Sequence, residues 1–71
     1  MEKFGNNLKI ARKNANLTQI QVAHALNVSE RHYRSFEAGA FEPDLAKLVA
    51  LADLFGVSVD WLLGRRDSDD A

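Results

Sequence analysis

The stretch that decides the fold is residues 18–37, TQIQVAHALNVSERHYRSFE. Thr18 followed three residues later by Gln21 is a capping-box pair, a helix start in which each side chain satisfies the other's backbone amide. Ile20, Val22, Ala23 and Leu26 supply the apolar positions of that helix. Asn27 stands where the helix must end sharply, and asparagine enters the left-handed region at lower cost than most residues with a Cβ. Ser29 then caps a second helix, and Glu30 in its first turn suits the positive end of the helix dipole. Two short helices joined by a three-residue turn predict a helix-turn-helix. A small residue, Ala23, is available where two helices must cross closely.

Turning the second helix by 100° per residue places Tyr33 and Phe36 on one side and Glu30, Arg31, Arg34 and Ser35 on the other. One side is set to pack and the other is free. The planar forks of Arg31 and Arg34 match guanine edges or phosphates, with Glu30 and Ser35 as further groups able to read bases. Glu30 keeps two readings: it accepts from a cytosine amino group, or it only stabilises the helix start and repels phosphate. Ser35 needs close approach to reach a base, whereas Ser29 and His32 are placed for contacts to the DNA backbone.

The rest of the chain reads as helices with short connections. Phe4, Leu8 and Ala11 recur at helical spacing and predict an amphipathic first helix over residues 2–14. Asp44 caps a fourth helix whose expected buried stripe is Leu45, Leu48, Val49, Ala52 and Phe55, ended by Gly56. Ser58 caps a short fifth helix holding Val59, Trp61, Leu62 and Leu63, closed by Gly64. The expected organisation is one domain over residues 1–64 and a charged tail, 65–71, too poor in apolar residues to order itself.

Seventy-one residues bury only ~60% of the surface they expose unfolded, so such a core is marginal and gains from association with a second copy. The chain has no cysteine, which excludes disulfides and thiolate metal sites. His24 and His32 lie on different helices without the ligand spacing of a zinc site, and the tail acids lack the pattern of a calcium loop, so neither metal nor cofactor is expected. No apolar run approaches ~18 residues and no signal-peptide pattern opens the chain, so a cytoplasmic protein that does not enter the membrane is expected. The net charge is −1, an awkward value for a partner of phosphate. It is unevenly spread: residues 1–40 hold six Lys and Arg against three acids, and residues 41–71 three against seven. The basic end is able to face DNA.

Leu8, Arg12, Leu17-Thr18-Gln19, Val22-Ala23, Leu26, Val28-Ser29, Phe36-Glu37, Gly39, Pro43 and the run from Gly56 to Leu63 together resemble the lambda-repressor-like DNA-binding domain, also called the Cro or XRE type. The resemblance spans about residues 4–64 and implies an all-α, five-helix fold. It implies that Gln19 contacts a phosphate, and that Arg12 and Glu37 form a structural ion pair tying the first helix to the end of the recognition helix. It also implies a dimer on two-fold-related half-sites about 34–36 Å apart. Trp61, Leu62 and Leu63 are the candidate dimer interface, because so short a helix cannot easily bury that apolar area itself, although Leu62 also suits the core.

The chain departs from the family pattern between Gly39 and Pro43. Many relatives place Lys or Arg there to grip phosphate, but this sequence has Ala40, Phe41 and Glu42. Ile10 and Ile20 stand where relatives are usually polar, and with Phe41 they form a candidate apolar patch for a protein partner. The leading expectation is a sequence-specific regulator of transcription, most simply a repressor, that binds double-stranded DNA as a homodimer. The alternative is a protein-interaction module of the same fold, such as an antitoxin or adaptor. No nucleophile, base and orienting group stand at recognisable spacing, so an enzyme is not expected.

Overall fold

A computed structural model describes residues 2–66. Those residues form five helices and no strand: α1 Glu2–Asn14, α2 Gln19–Leu26, α3 Glu30–Glu37, α4 Leu45–Phe55 and α5 Val59–Leu62. The all-α, five-helix expectation is met.

The helix boundaries follow local chemistry. Thr18 and Gln21 make the reciprocal capping box, with Thr18 Oγ1 accepting from the Gln21 amide at 3.1 Å and Gln21 Oε1 accepting from the Thr18 amide at 2.8 Å. Asn27 takes the left-handed conformation, φ 58° and ψ 44°, and ends α2. Ser29 Oγ accepts from the His32 amide at 3.0 Å and starts α3. Asp44 and Ser58 cap α4 and α5 in the same way. Gly56, at φ 67°, terminates α4, where a Cβ would be strained. A second left-handed asparagine, Asn16 at φ 59°, turns the chain out of α1.

Phe4, Leu8 and Ala11 of α1 pack with Val22 and Ala23 of α2, Tyr33 and Phe36 of α3, Leu51 and Ala52 of α4, and Leu62 of α5. Each helix therefore contributes to one core, to which α3 gives its apolar side. Asn7 Nδ2 donates to the Trp61 carbonyl at 2.8 Å, fastening α1 to α5.

Two expectations need correction. Of the five residues in the expected stripe of α4, Ala52 is buried and Leu48 and Phe55 are partly buried, but Leu45 is 81% and Val49 52% exposed. Leu51, outside that stripe, is fully buried. The segment LAKLVALADLF is apolar around most of its circumference, so its periodicity leaves the rotation of the helix open, and packing against α2 and α5 decides it. Leu62, assigned to the dimer interface, is fully buried in the chain's own core and has no surface to offer a partner. The tail expected to be disordered lies, from residue 67 onward, outside the described residues.

Candidate nucleic-acid interface

Helix α3 divides cleanly. Tyr33 and Phe36 are fully buried, with their rings edge-on at 6.1 Å, while Arg31, His32 and Arg34 are exposed and Glu30 and Ser35 half-buried. Burying two aromatic side chains anchors the helix, and its polar side is left standing on a firm base. Ser29 spends its hydroxyl acceptor on the cap, and Ser35 Oγ donates to the His32 carbonyl, so both hydroxyls are partly engaged within the helix.

The two arginines differ. Arg31 forms no ion pair or side-chain hydrogen bond among the described residues, so its cation is uncompensated and open to solvent. Arg34 is clamped: Nη2 pairs with Glu30 Oε2 at 2.5 Å, and Nε donates to Gln19 Oε1 at 3.0 Å. Gln19 in turn donates from Nε2 to Glu37 Oε1 at 3.1 Å. The Gln19 amide, expected to meet a phosphate, thus already has a partner at each end.

Beneath this surface lies the ion pair. Arg12 Nε donates to Glu37 Oε2 at 2.6 Å and Nη2 to Oε1 at 3.2 Å, while Nη1 donates to the Leu17 carbonyl at 3.0 Å. The side chains are 11% and 5% exposed. Tyr33 OH also donates to Glu37 Oε2, at 2.5 Å. Burial by itself would raise the Glu37 pKa, but hydrogen bonds from Arg12, Tyr33 and Gln19 outweigh it and hold the carboxyl below its usual value. Arg12 is raised chiefly by its hydrogen bond to Glu37. Tyr33 is raised by burial first and then by donating to the Glu37 carboxylate. No buried side-chain nitrogen or oxygen among the described residues lacks a hydrogen-bond partner.

Phe41 was grouped by sequence with Ile10 and Ile20. All three are exposed, but Phe41 stands beside α3, its ring 6.5 Å from that of His32. Phe41, Ser29, Arg31, His32 and Ser35 line an open cleft of 250 Å³. Phe41 therefore belongs to the surface around the recognition helix. Sequence spacing carries no signal for that, because the Ala38–Pro43 loop has no periodicity to read. The Gln19–Arg34 and Gln19–Glu37 contacts were missed for a similar reason: they join residues fifteen and eighteen positions apart.

Two short helices linked through a left-handed asparagine, the second anchored by aromatics and presenting its polar side, define a helix-turn-helix protein. The chain belongs to the helix-turn-helix family, of the Cro/C1 type, whose family model matches residues 8–62. It is 41% identical over 63 residues to the uncharacterized HTH-type transcriptional regulator YobD of Bacillus subtilis, covering 89% of this chain and 56% of that protein. To the cryptic phage CTXphi transcriptional repressor RstR of Vibrio cholerae it is 35% identical over 68 residues, 96% of this chain and 61% of that one. A crystal structure of a transcriptional regulator from Listeria innocua matches with a TM-score of 0.81 at 35% identity, over 92% of this chain and 61% of the other. The chain spans about half the length of the curated relatives it matches.

Proposed function

We propose that this chain binds double-stranded DNA sequence-specifically and regulates transcription, most simply as a repressor that occludes a promoter. The observation that carries this is the division of α3, whose aromatic side is fully buried while Arg31, His32 and Arg34 face out. A helix fixed in this way fits the major groove, where arginine recognises guanine and small polar groups meet phosphate. Ser29, His32 and Ser35 supply contacts to backbone or bases, and Glu30 acts by tuning Arg34. The role involves no catalysis and is exercised in the cytoplasm, where its DNA target lies. Relatives named as repressors support the direction of the effect.

One recognition helix covers few base pairs, so the protein acts as a homodimer on an inverted repeat. Trp61 of α5 and Leu63, which caps that helix, are both half-buried and are the candidate interface residues left to contact the second copy. A second reading, a protein-interaction module, is favoured by the apolar side chains exposed on α1, α2 and α4: Ile10, Ile20, Leu45, Val49 and Leu54.

Selection of sites from a random duplex library at two salt concentrations, with Arg31→Ala in parallel, tests these readings. An enriched inverted repeat with half-sites about one helical turn apart supports the dimeric regulator. Binding without enrichment that vanishes as salt rises overturns it in favour of the protein-partner role.

A further inference from the structure

We propose that Gln19 acts on DNA through Arg34, as a positioning residue for the base contact of the recognition helix, with its own orientation dictated by the buried carboxylate of Glu37. The inference rests on the DNA-binding reading above and assigns Gln19 a different task from the phosphate contact that family resemblance implies.

The geometry leaves the Gln19 amide one sensible orientation. An ionised carboxylate only accepts hydrogen bonds, so the end of the amide facing Glu37 must be its NH2 group, as in the 3.1 Å bond from Nε2 to Oε1. The carbonyl is then turned toward Arg34 and accepts from Nε at 3.0 Å. A flipped amide would set oxygen against carboxylate and NH2 against guanidinium, losing both bonds. Glu37 is itself fixed by Arg12 and Tyr33, so the orientation of Gln19 is set from the core outward.

Arg34 is held on two sides. With Nε occupied by Gln19 and one Nη2 hydrogen by Glu30, the donors left for DNA are those of Nη1 and the second hydrogen of Nη2. Their direction is fixed before DNA arrives, so less side-chain freedom is lost on binding than for an unclamped arginine. Base discrimination at the position read by Arg34 consequently depends on a residue one helix away. Arg31, without such a clamp, does not share this dependence.

The test is site selection with the chain in five forms: unchanged, Arg34→Ala, Gln19→Ala, the double variant of these two, and Gln19→Met. Arg34→Ala is expected to lower preference at one position of each half-site about tenfold. Gln19→Ala is expected to relax that same position severalfold, leave the others intact, and add nothing further in the Arg34→Ala background. Gln19→Met, similar in length but without the amide, must behave like Gln19→Ala, which separates loss of the amide from any change at the start of α2. A uniform loss across all sequences, with the salt dependence unchanged because an amide carries no charge, makes Gln19 a plain phosphate ligand and overturns the inference, as does additivity in the double variant. An enriched site indifferent to Gln19 overturns the inference alone. Absence of any enriched site with the unchanged chain overturns the DNA-binding reading and the inference together.

Discussion

The backbone of Gly5 lies against the carbonyl oxygen of Glu37, in a gap that has no room for a Cβ. Helix α1 thus reaches the end of α3 backbone to backbone, beside the Arg12–Glu37 ion pair. In a helix interior alanine is ordinarily better than glycine by about 1 kcal/mol. Here the added methyl must push apart two main chains, which costs on the order of 1–3 kcal/mol. Gly5→Ala is therefore expected to lower the melting temperature despite improving helix propensity. Thermal unfolding followed by circular dichroism decides the sign.

Removing Arg12 leaves Glu37, whose side chain is 5% exposed, as a buried charge with two fewer bonds. Arg12→Ala should cost about 3–5 kcal/mol, readable by urea denaturation. An unchanged midpoint would show that the pair has no structural role.

The same carboxylate sets a pH response. Its folded pKa is below the unfolded value, so the folded state binds the proton less readily, and its stabilisation is fully present above the ordinary carboxylate pKa. That stabilisation is expected to fade as pH falls from there through the lowered folded value. Tyr33, raised in the folded state, contributes in the opposite sense: its share is present below the ordinary phenol pKa and is lost as pH rises beyond it. Unfolding midpoints against pH should be flat near neutrality and fall at both ends, with the acid limb reduced in Glu37→Gln relative to its own neutral value.

Leu62 and Trp61 are adjacent, yet their substitutions should separate folding from assembly. Leu62→Ala empties a fully buried site and should cost about 2–5 kcal/mol of monomer stability. Trp61→Ala, at a half-buried site, is expected to weaken self-association and binding to an inverted repeat more than to a single half-site. Sedimentation at several concentrations checks it; unchanged association would remove α5 from the interface.

Glu30 both holds Arg34 and places a negative charge on the face proposed for DNA. Glu30→Gln keeps an acceptor for Arg34 and removes that charge. Binding should tighten for all sequences, most at low salt, with base preference retained. Titration of labelled duplexes at two salt concentrations measures this.

Much of the molecule is decided by signals that lie within a few residues of one another. The Thr18–Gln21 box, the left-handed Asn27, the Ser29, Asp44 and Ser58 caps and the Gly56 stop are local chemistry, and local chemistry is present in the sequence whatever the rest of the chain does. The pattern of α3 is equally local, since an eight-residue helix with aromatics on one side has one way to pack. What the tertiary structure alone decided are choices between local equivalents. The largely apolar α4 had several rotations open until packing buried Leu51 and turned Leu45 out. Gly5 looks like a weakness in α1 until Glu37 is set against it. Arg34 has Glu30 four residues before it, a local pairing that Arg31 lacks, but only the approach of α2 to α3 brings Gln19 against Arg34 and completes its clamp. These contacts join positions far apart in the chain, where periodicity and capping carry no information.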